Sequence, residues 1–177
     1  MRSGPRKLSG EDALYRAALR ALMRRAYSVF EMRTYLERRS EEVSLAANVL
    51  ARMKHERLVD DGRYALEFAR GRANLRRQGR YRIARELRLR GVPDRHIESA
   101  LEQVFAETDE VVLVRKVIER RLRLARGPLD EKKRASLYRM LQRAGFDSQL
   151  IYRELRALHG NETSSGAPES SWTEEGA

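Results

Sequence analysis

The sequence predicts an all-α fold, an elongated, right- or left-curved array of three tandem three-helix repeats, on three observations. Apolar residues recur at helical spacing from Leu14 to Leu158, and the breaks between them fall at Gly, Pro and Asp-rich points where helices stop. Strand signals are almost absent, and there are only four prolines. One constellation also recurs: Leu87, Gly91, Ile97 and Leu101 have the mutual spacing of Leu141, Gly145, Ile151 and Leu155, with Val92 answering to Phe146, and Leu36, Ser40, Ala46 and Leu50 form a weaker copy. A unit of about fifty residues buries too little apolar surface to stand alone, and stacking against neighbours supplies the rest. A compact nine-helix bundle with coincidental spacing is the competing arrangement.

Residues 1–10 form an unstructured arm. The first repeat, residues 11–59, opens with a helix from about Asp12 to Arg25, signalled by Ser9 with Asp12 three residues on, and buries Leu14, Ala17, Ala18, Ala21 and Leu22. Ser28 and Glu31 read as a capping box for a second helix through Met32 and Leu36. A third carries Leu45, Val49, Leu50 and Met53 up to the break at Asp60, Asp61 and Gly62. The second repeat, residues 60–107, begins with a helix from about Arg63 to Gln78, closing at Gly79, where a left-handed conformation costs glycine little. A shorter helix from about Tyr81 stops at Gly91, and Pro93–Asp94 opens one through Ile97, Ala100, Leu101, Val104 and Phe105. The third repeat, residues 108–159, holds helices near Glu110–Arg126, Asp130–Ala144 and Ser148–Leu158, broken at Gly127–Pro128 and at Gly145. Residues 160–177 read as an unstructured acidic tail with Trp172 exposed in it.

The 177 residues carry a formal net charge of +11, and because the stretch from Gly160 onward has four Glu and no Lys or Arg, the rest of the chain stands at +15. Such a field favours anionic partners, nucleic acid or an acidic protein groove. The absence of cysteine removes disulfides and thiolate chemistry and fits a reducing cytoplasm. With no apolar run of about 20 residues and no signal-peptide core at the amino terminus, a soluble intracellular protein without membrane contact is expected.

A reaction centre is not expected, and neither is a metal or cofactor. His55, His96 and His159 lack paired ligands at helical or turn spacing, and no glycine-rich loop leads to Lys and Ser or Thr. Asp60 and Asp61 are better explained as helix-capping acids than as metal ligands. Tyr64 and Phe68, four apart beside Ala65, read as packing rather than a base-stacking platform. Arg72 and Arg76 fall in the middle of that apolar arc; snorkelling to the rim and pairing with an acid are both open.

The basic faces carry the functional signal. Arg82, Arg85 and Arg88 lie opposite the Ile83–Leu87 stripe, Lys116, Arg120 and Arg123 opposite Val111, Val114, Ile118 and Leu122, and Arg70 and Arg77 share the outer face of the helix before Gly79. Like charges at this spacing repel until an anion is bound. The planar guanidinium fork suits phosphate and carboxylate equally, so DNA backbone and an acidic protein lobe are both fitting partners.

Several short patterns in order resemble the RecX family of recombination regulators. They are "LVDDGRYA" from Leu58 to Ala65; Gly79, Arg82, Ile83, Glu86, Leu87, Gly91 and Val92 within "GRYRIARELRLRGV"; Ser28, Glu31, Met32 and Leu36; and "RGPLDEKKRASLYRMLQRAGF". Met32, Ser40 and Tyr64 stand where the family commonly has Leu, Gly and Phe. The resemblance spans Leu14 to Leu158. It implies tandem three-helix repeats, a monomeric protein without a catalytic site, and the RecA recombinase filament as partner, gripped in its groove and restrained in ATP hydrolysis and strand exchange, with DNA backbone as a secondary contact. A stand-alone basic DNA-binding protein is the alternative.

Overall fold

The computed structural model describes residues 7–124 and 129–164, with side chains up to Leu158. It is a helical repeat array. Among the described residues the helices are α1 (Glu11–Leu22), α2 (Val29–Glu37), α3 (Val43–His55), α4 (Asp61–Arg76), α5 (Arg80–Arg88), α6 (Asp94–Glu107), α7 (Glu110–Leu124), α8 (Glu131–Ala144) and α9 (Ser148–Ser164). The Gly127–Pro128 break, Trp172 and most of the expected acidic tail lie outside the described residues.

Local chemistry explains the starts of α2, α4 and α8. Ser28 and Glu31 form the reciprocal capping box: the Glu31 amide donates to Ser28 Oγ at 3.1 Å, and the Ser28 amide to Glu31 Oε2 at 3.2 Å. Asp60 caps α4 by accepting from the Arg63 amide at 2.7 Å, and Asp130 caps α8 by accepting from Lys133 at the same distance. The two acids at the α4 start divide their work. Asp61, the first helical residue, accepts from the amide of Val29 at 2.8 Å and so caps α2 across the chain.

Four expectations are corrected. The cap of α1 falls on Gly10, without a side-chain bond, rather than on Ser9, because the chain just before it is held elsewhere. Leu8 forms a parallel bridge with Ser40, donating to the Arg39 carbonyl at 2.7 Å and accepting from the Glu41 amide at 3.3 Å, so residues 1–10 are not wholly an unstructured arm. At the other end α9 runs to Ser164, into the segment read as tail, because adding a residue to an existing helix gains one backbone bond without a new nucleus and offsets the roughly 1 kcal/mol cost of an interior glycine such as Gly160. The left-handed residue closing α4 is Arg77 (φ 50°), not Gly79, which is extended (φ −80°) and serves as the N-cap of α5.

Gly79 has a tertiary reason to be small. A Cβ there would stand 2.3 Å from the Gly145 carbonyl oxygen, since the α5 start lies on the turn between α8 and α9. The same joint occurs one repeat earlier, where a Cβ on Gly91 would meet the Phe30 ring at 2.4 Å. In each case the residue before the turn glycine offers its carbonyl. Arg90 accepts from Ser28 Oγ at 2.6 Å, and Ala144 from the Gly79 amide at 2.9 Å. The corresponding carbonyl in the first three helices is that of Arg39, already taken by Leu8.

The core is divided unequally. Leu14, Met32, Leu36, Val49 and Met53 anchor one cluster in α1–α3, whereas a second runs without interruption from Tyr64 to Leu155, through Ile83, Leu87, Ile97, Val104, Val114, Ile118, Leu141 and Ile151. The junction of α1–α3 with the rest is mainly polar, and that of α4–α6 with α7–α9 is apolar.

Candidate interaction surface

Three of the arginines expected on solvated faces are held by acids. Arg70 Nη2 lies 2.8 Å from Glu107, Arg88 Nε 2.7 Å from Asp94, and Arg82 Nε 3.1 Å from Glu86, with Arg82 Nη1 also donating to the Arg143 carbonyl at 3.2 Å. Helical periodicity places a residue on a face but says nothing of acids arriving from α6; the Arg82–Glu86 pair, at i and i+4, is within its reach. Arg85, Lys116, Arg120 and Arg123 are exposed, and among the described residues none of them lies within ion-pair reach of a carboxylate. Arg77, half-buried at the end of α4, makes no ion pair among them either.

Arg72 pairs with Glu86 at 3.0 Å and covers the Phe68 ring at 4.7 Å, while Arg76 is exposed. Glu86 is thus a hub, also within 3.4 Å of Gln78 Nε2. Burial would push its carboxyl upward, but the Arg82 hydrogen bond and the charges of Arg72, Arg82 and Arg90 outweigh burial and hold it below the usual range. A depressed folded-state pKa adds stability that is fully present above the unfolded value of about 4.3 and is lost as the pH falls through the folded one. Glu86→Gln should therefore cost about 2 kcal/mol at pH 7, with the deficit closing below about pH 4. Thermal melts of both proteins from pH 7 to 3 check this; a deficit constant over that range would show that Glu86 acts through shape alone.

Periodicity missed several residues. Arg115 pairs at 2.6 Å with the buried Glu154 of α9. On either side of α2, Arg25 lies over Tyr27 at 3.7 Å and Arg39 over Tyr35 at 4.8 Å, on the walls of a cleft of about 380 Å³. A larger cleft, about 580 Å³, opens where α5 meets the α8–α9 turn and is lined by Tyr81, Arg82, Arg85, Gln142, Arg143 and Gly145. Arg143 went unnoticed because it belongs to a different repeat from Arg82, and only the joint brings them together.

Among the described residues no three His, Cys, Asp or Glu side chains converge, and no helix is long and apolar enough to cross a membrane. His55 is exposed and His96 contacts Arg95; the His159 side chain lies outside the described residues. Tyr64 is buried and stacks on Phe68 at 6.1 Å, as core packing. The arrangement is suited to holding anions on guanidinium and ammonium groups.

Comparison with known proteins places this architecture. Residues 60–101 match the family profile described as "RecX, second three-helix domain" and residues 107–155 the one described as "RecX, third three-helix domain". A "Regulatory protein RecX" from Halorhodospira halophila is 38% identical over 143 residues, 81% of this chain and 86% of that protein. One of the same description from Oceanobacillus iheyensis is 31% identical over 147 residues, 81% of this chain, which spans only 54% of that longer relative. The crystal structure of RecX from Lactobacillus salivarius superimposes with a TM-score of 0.73 at 20% identity, covering 84% of this chain and 96% of the other.

Proposed function

Since this chain belongs to the RecX family, we propose that it binds the RecA–DNA filament and restrains ATP hydrolysis and strand exchange. It does so as a cytoplasmic monomer of three repeats, residues 11–59, 60–107 and 108–159, that catalyses no reaction itself. The observation carrying this reading is the set of exposed cations that no acid of the described chain neutralises, Arg85 on α5 and Lys116, Arg120 and Arg123 on α7. They are set on rigid helices that their apolar sides fix, so side-chain entropy rather than backbone ordering is the main cost of engaging a partner. Acidic surfaces of the filament groove are the first contact, and DNA phosphates the second. Arg70, Arg82 and Arg88, being paired, serve chiefly to keep the helices in place and contribute less to binding.

The test is to add the protein to filaments preformed on single-stranded DNA and follow DNA-dependent ATP hydrolysis. The rate should fall in a saturable manner, and the protein should sediment with filaments at salt concentrations that release it from bare DNA. Unchanged hydrolysis at saturation would refute the reading. Equal retention on bare DNA and on filaments, with a steep loss on raising salt, would favour a stand-alone DNA-binding protein.

A further inference from the structure

The cleft between α5 and the α8–α9 turn has a composition that its structural role does not require. Its walls carry three guanidinium groups, an amide, a phenol and the Gly145 backbone, and no carboxylate. Two acids stand near it, and both are committed. Glu86 is shared by Arg72 and Arg82. Asp147 accepts from the amides of Gln149 at 2.9 Å and Leu150 at 3.1 Å and from the Tyr81 hydroxyl at 3.4 Å. Arg82 is held by Glu86 and by the Arg143 carbonyl through Nε and Nη1, which leaves Nη2 for a ligand. Arg85 and Arg143, both exposed, have no ion-pair partner among the described residues.

The equivalent joint one repeat earlier supplies an internal control. In the register of the repeat, Tyr81, Arg82 and Arg85 correspond to Phe30, Glu31 and Thr34, and Gln142, Arg143 and Gly145 to Arg88, Leu89 and Gly91. That joint closes the same way, glycine against helix start, with one cation, one acid and two apolar side chains. Arg85 and Arg143 are therefore not needed to hold the repeats together, whereas Arg82 also bonds the Arg143 carbonyl across the joint. Gathering them costs repulsion that an anion would relieve.

We infer that this inter-repeat cleft is a binding site for the backbone of single-stranded nucleic acid, with a phosphodiester held by Arg82, Arg85 and Arg143 and a base stacked on the Tyr81 ring. The inference rests on the reading above for the presence of DNA beside the protein, but not on any contact with recombinase. Guanidinium forks match phosphate oxygens, and a 58% exposed aromatic ring at the rim gives a base a flat partner whatever its identity. A protein carboxylate would use the cations and leave Tyr81 unused. The site exists only while the two repeats are docked, because each contributes cations.

The experiment uses the full chain and a fluorescein-labelled oligothymidylate of on the order of ten nucleotides, followed by anisotropy over a salt series. Arg85→Gln combined with Arg143→Gln should weaken binding about 10- to 100-fold and reduce the magnitude of the log–log salt slope by about 0.7, the share of the one phosphate they hold. Tyr81→Ala should weaken binding roughly tenfold with the slope unchanged, and Tyr81→Phe should bind like the parent, since stacking needs only the ring. Far-UV circular dichroism and melting verify that the variants are folded. No oligothymidylate binding by the parent, or a double variant with the parent's affinity and slope, would overturn the inference. Filament ATP hydrolysis, measured in parallel, separates the two readings: a double variant that binds the oligonucleotide normally but no longer restrains the filament refutes the cleft and leaves the recombinase reading standing. Loss of oligonucleotide binding with filament restraint intact supports the cleft and places the recombinase contact on other residues.

Discussion

Gly145→Ala should lower the melting temperature by roughly 10 °C. Gly145 sits at φ +88°, where an L side chain costs about 1–2 kcal/mol, and its Cβ would lie 2.3 Å from the Arg82 Cβ and 2.4 Å from the Arg82 amide nitrogen. Overpacking against backbone adds about 1–3 kcal/mol, because an atom of a helix start cannot swing aside as a side-chain tip can. The shift needed would also strain two hydrogen bonds across the joint, Gly79 amide to the Ala144 carbonyl at 2.9 Å and Tyr81 amide to the Gly145 carbonyl at 3.1 Å. Together these effects come to about 3 kcal/mol, and in a chain of this length each kcal/mol is worth about 2–4 °C. Gly71→Ala is the opposite case. Gly71 lies inside α4, and a Cβ there would meet nothing within 4 Å, so the substitution should raise the melting temperature by a few degrees through the helix preference of alanine. Scanning calorimetry of both variants checks the pair, and a Gly145→Ala protein melting with the parent would mean that the inter-repeat joint is not closed in solution.

Charge reversal of the unpaired cations should affect filament binding most. Arg85→Glu, Lys116→Glu and Arg120→Glu in one chain should raise the concentration needed for half-maximal restraint of ATP hydrolysis at least 10-fold at about 0.1 M salt, with less effect at 0.5 M, where screening shortens the reach of the charges. Melting should change little, because among the described residues none of the three is in an ion pair. Reversing Arg82 and Arg88 instead would set new carboxylates against Glu86 and Asp94, and lost stability would then obscure lost binding. If the triple variant restrains filaments as well as the parent, these residues do not form the contact surface.

How much could be read from the amino acids alone depended on whether a signal was local. The capping box at Ser28 and the acid at Asp60 announce helix starts because both partners lie within one turn, and the recurring Leu–Gly–Ile–Leu pattern announces the array because each copy has to bury the same stripe. Gly79 misled because its small size answers a carbonyl from a turn sixty-odd positions away, whereas the left-handed backbone it was expected to supply falls to Arg77. The basic faces were legible as exposure but not as pairing: Arg70 finds Glu107 across the fold, and nothing in a helical wheel brings those two together. Arg143 escaped for the same reason, and so did the second task of Asp61, which caps α2 from the neighbouring repeat.

The bridge between Leu8 and Ser40 bears on how such a molecule sets its own size. Modules that dock by offering one carbonyl to the next member form, in principle, an open-ended series, and each free terminus invites another copy. Here the Arg39 oxygen is taken by Leu8 of the same chain, much as a stopper closes a tube. Another copy docking in register at that edge would have to displace an intramolecular contact, which competes at a high effective concentration.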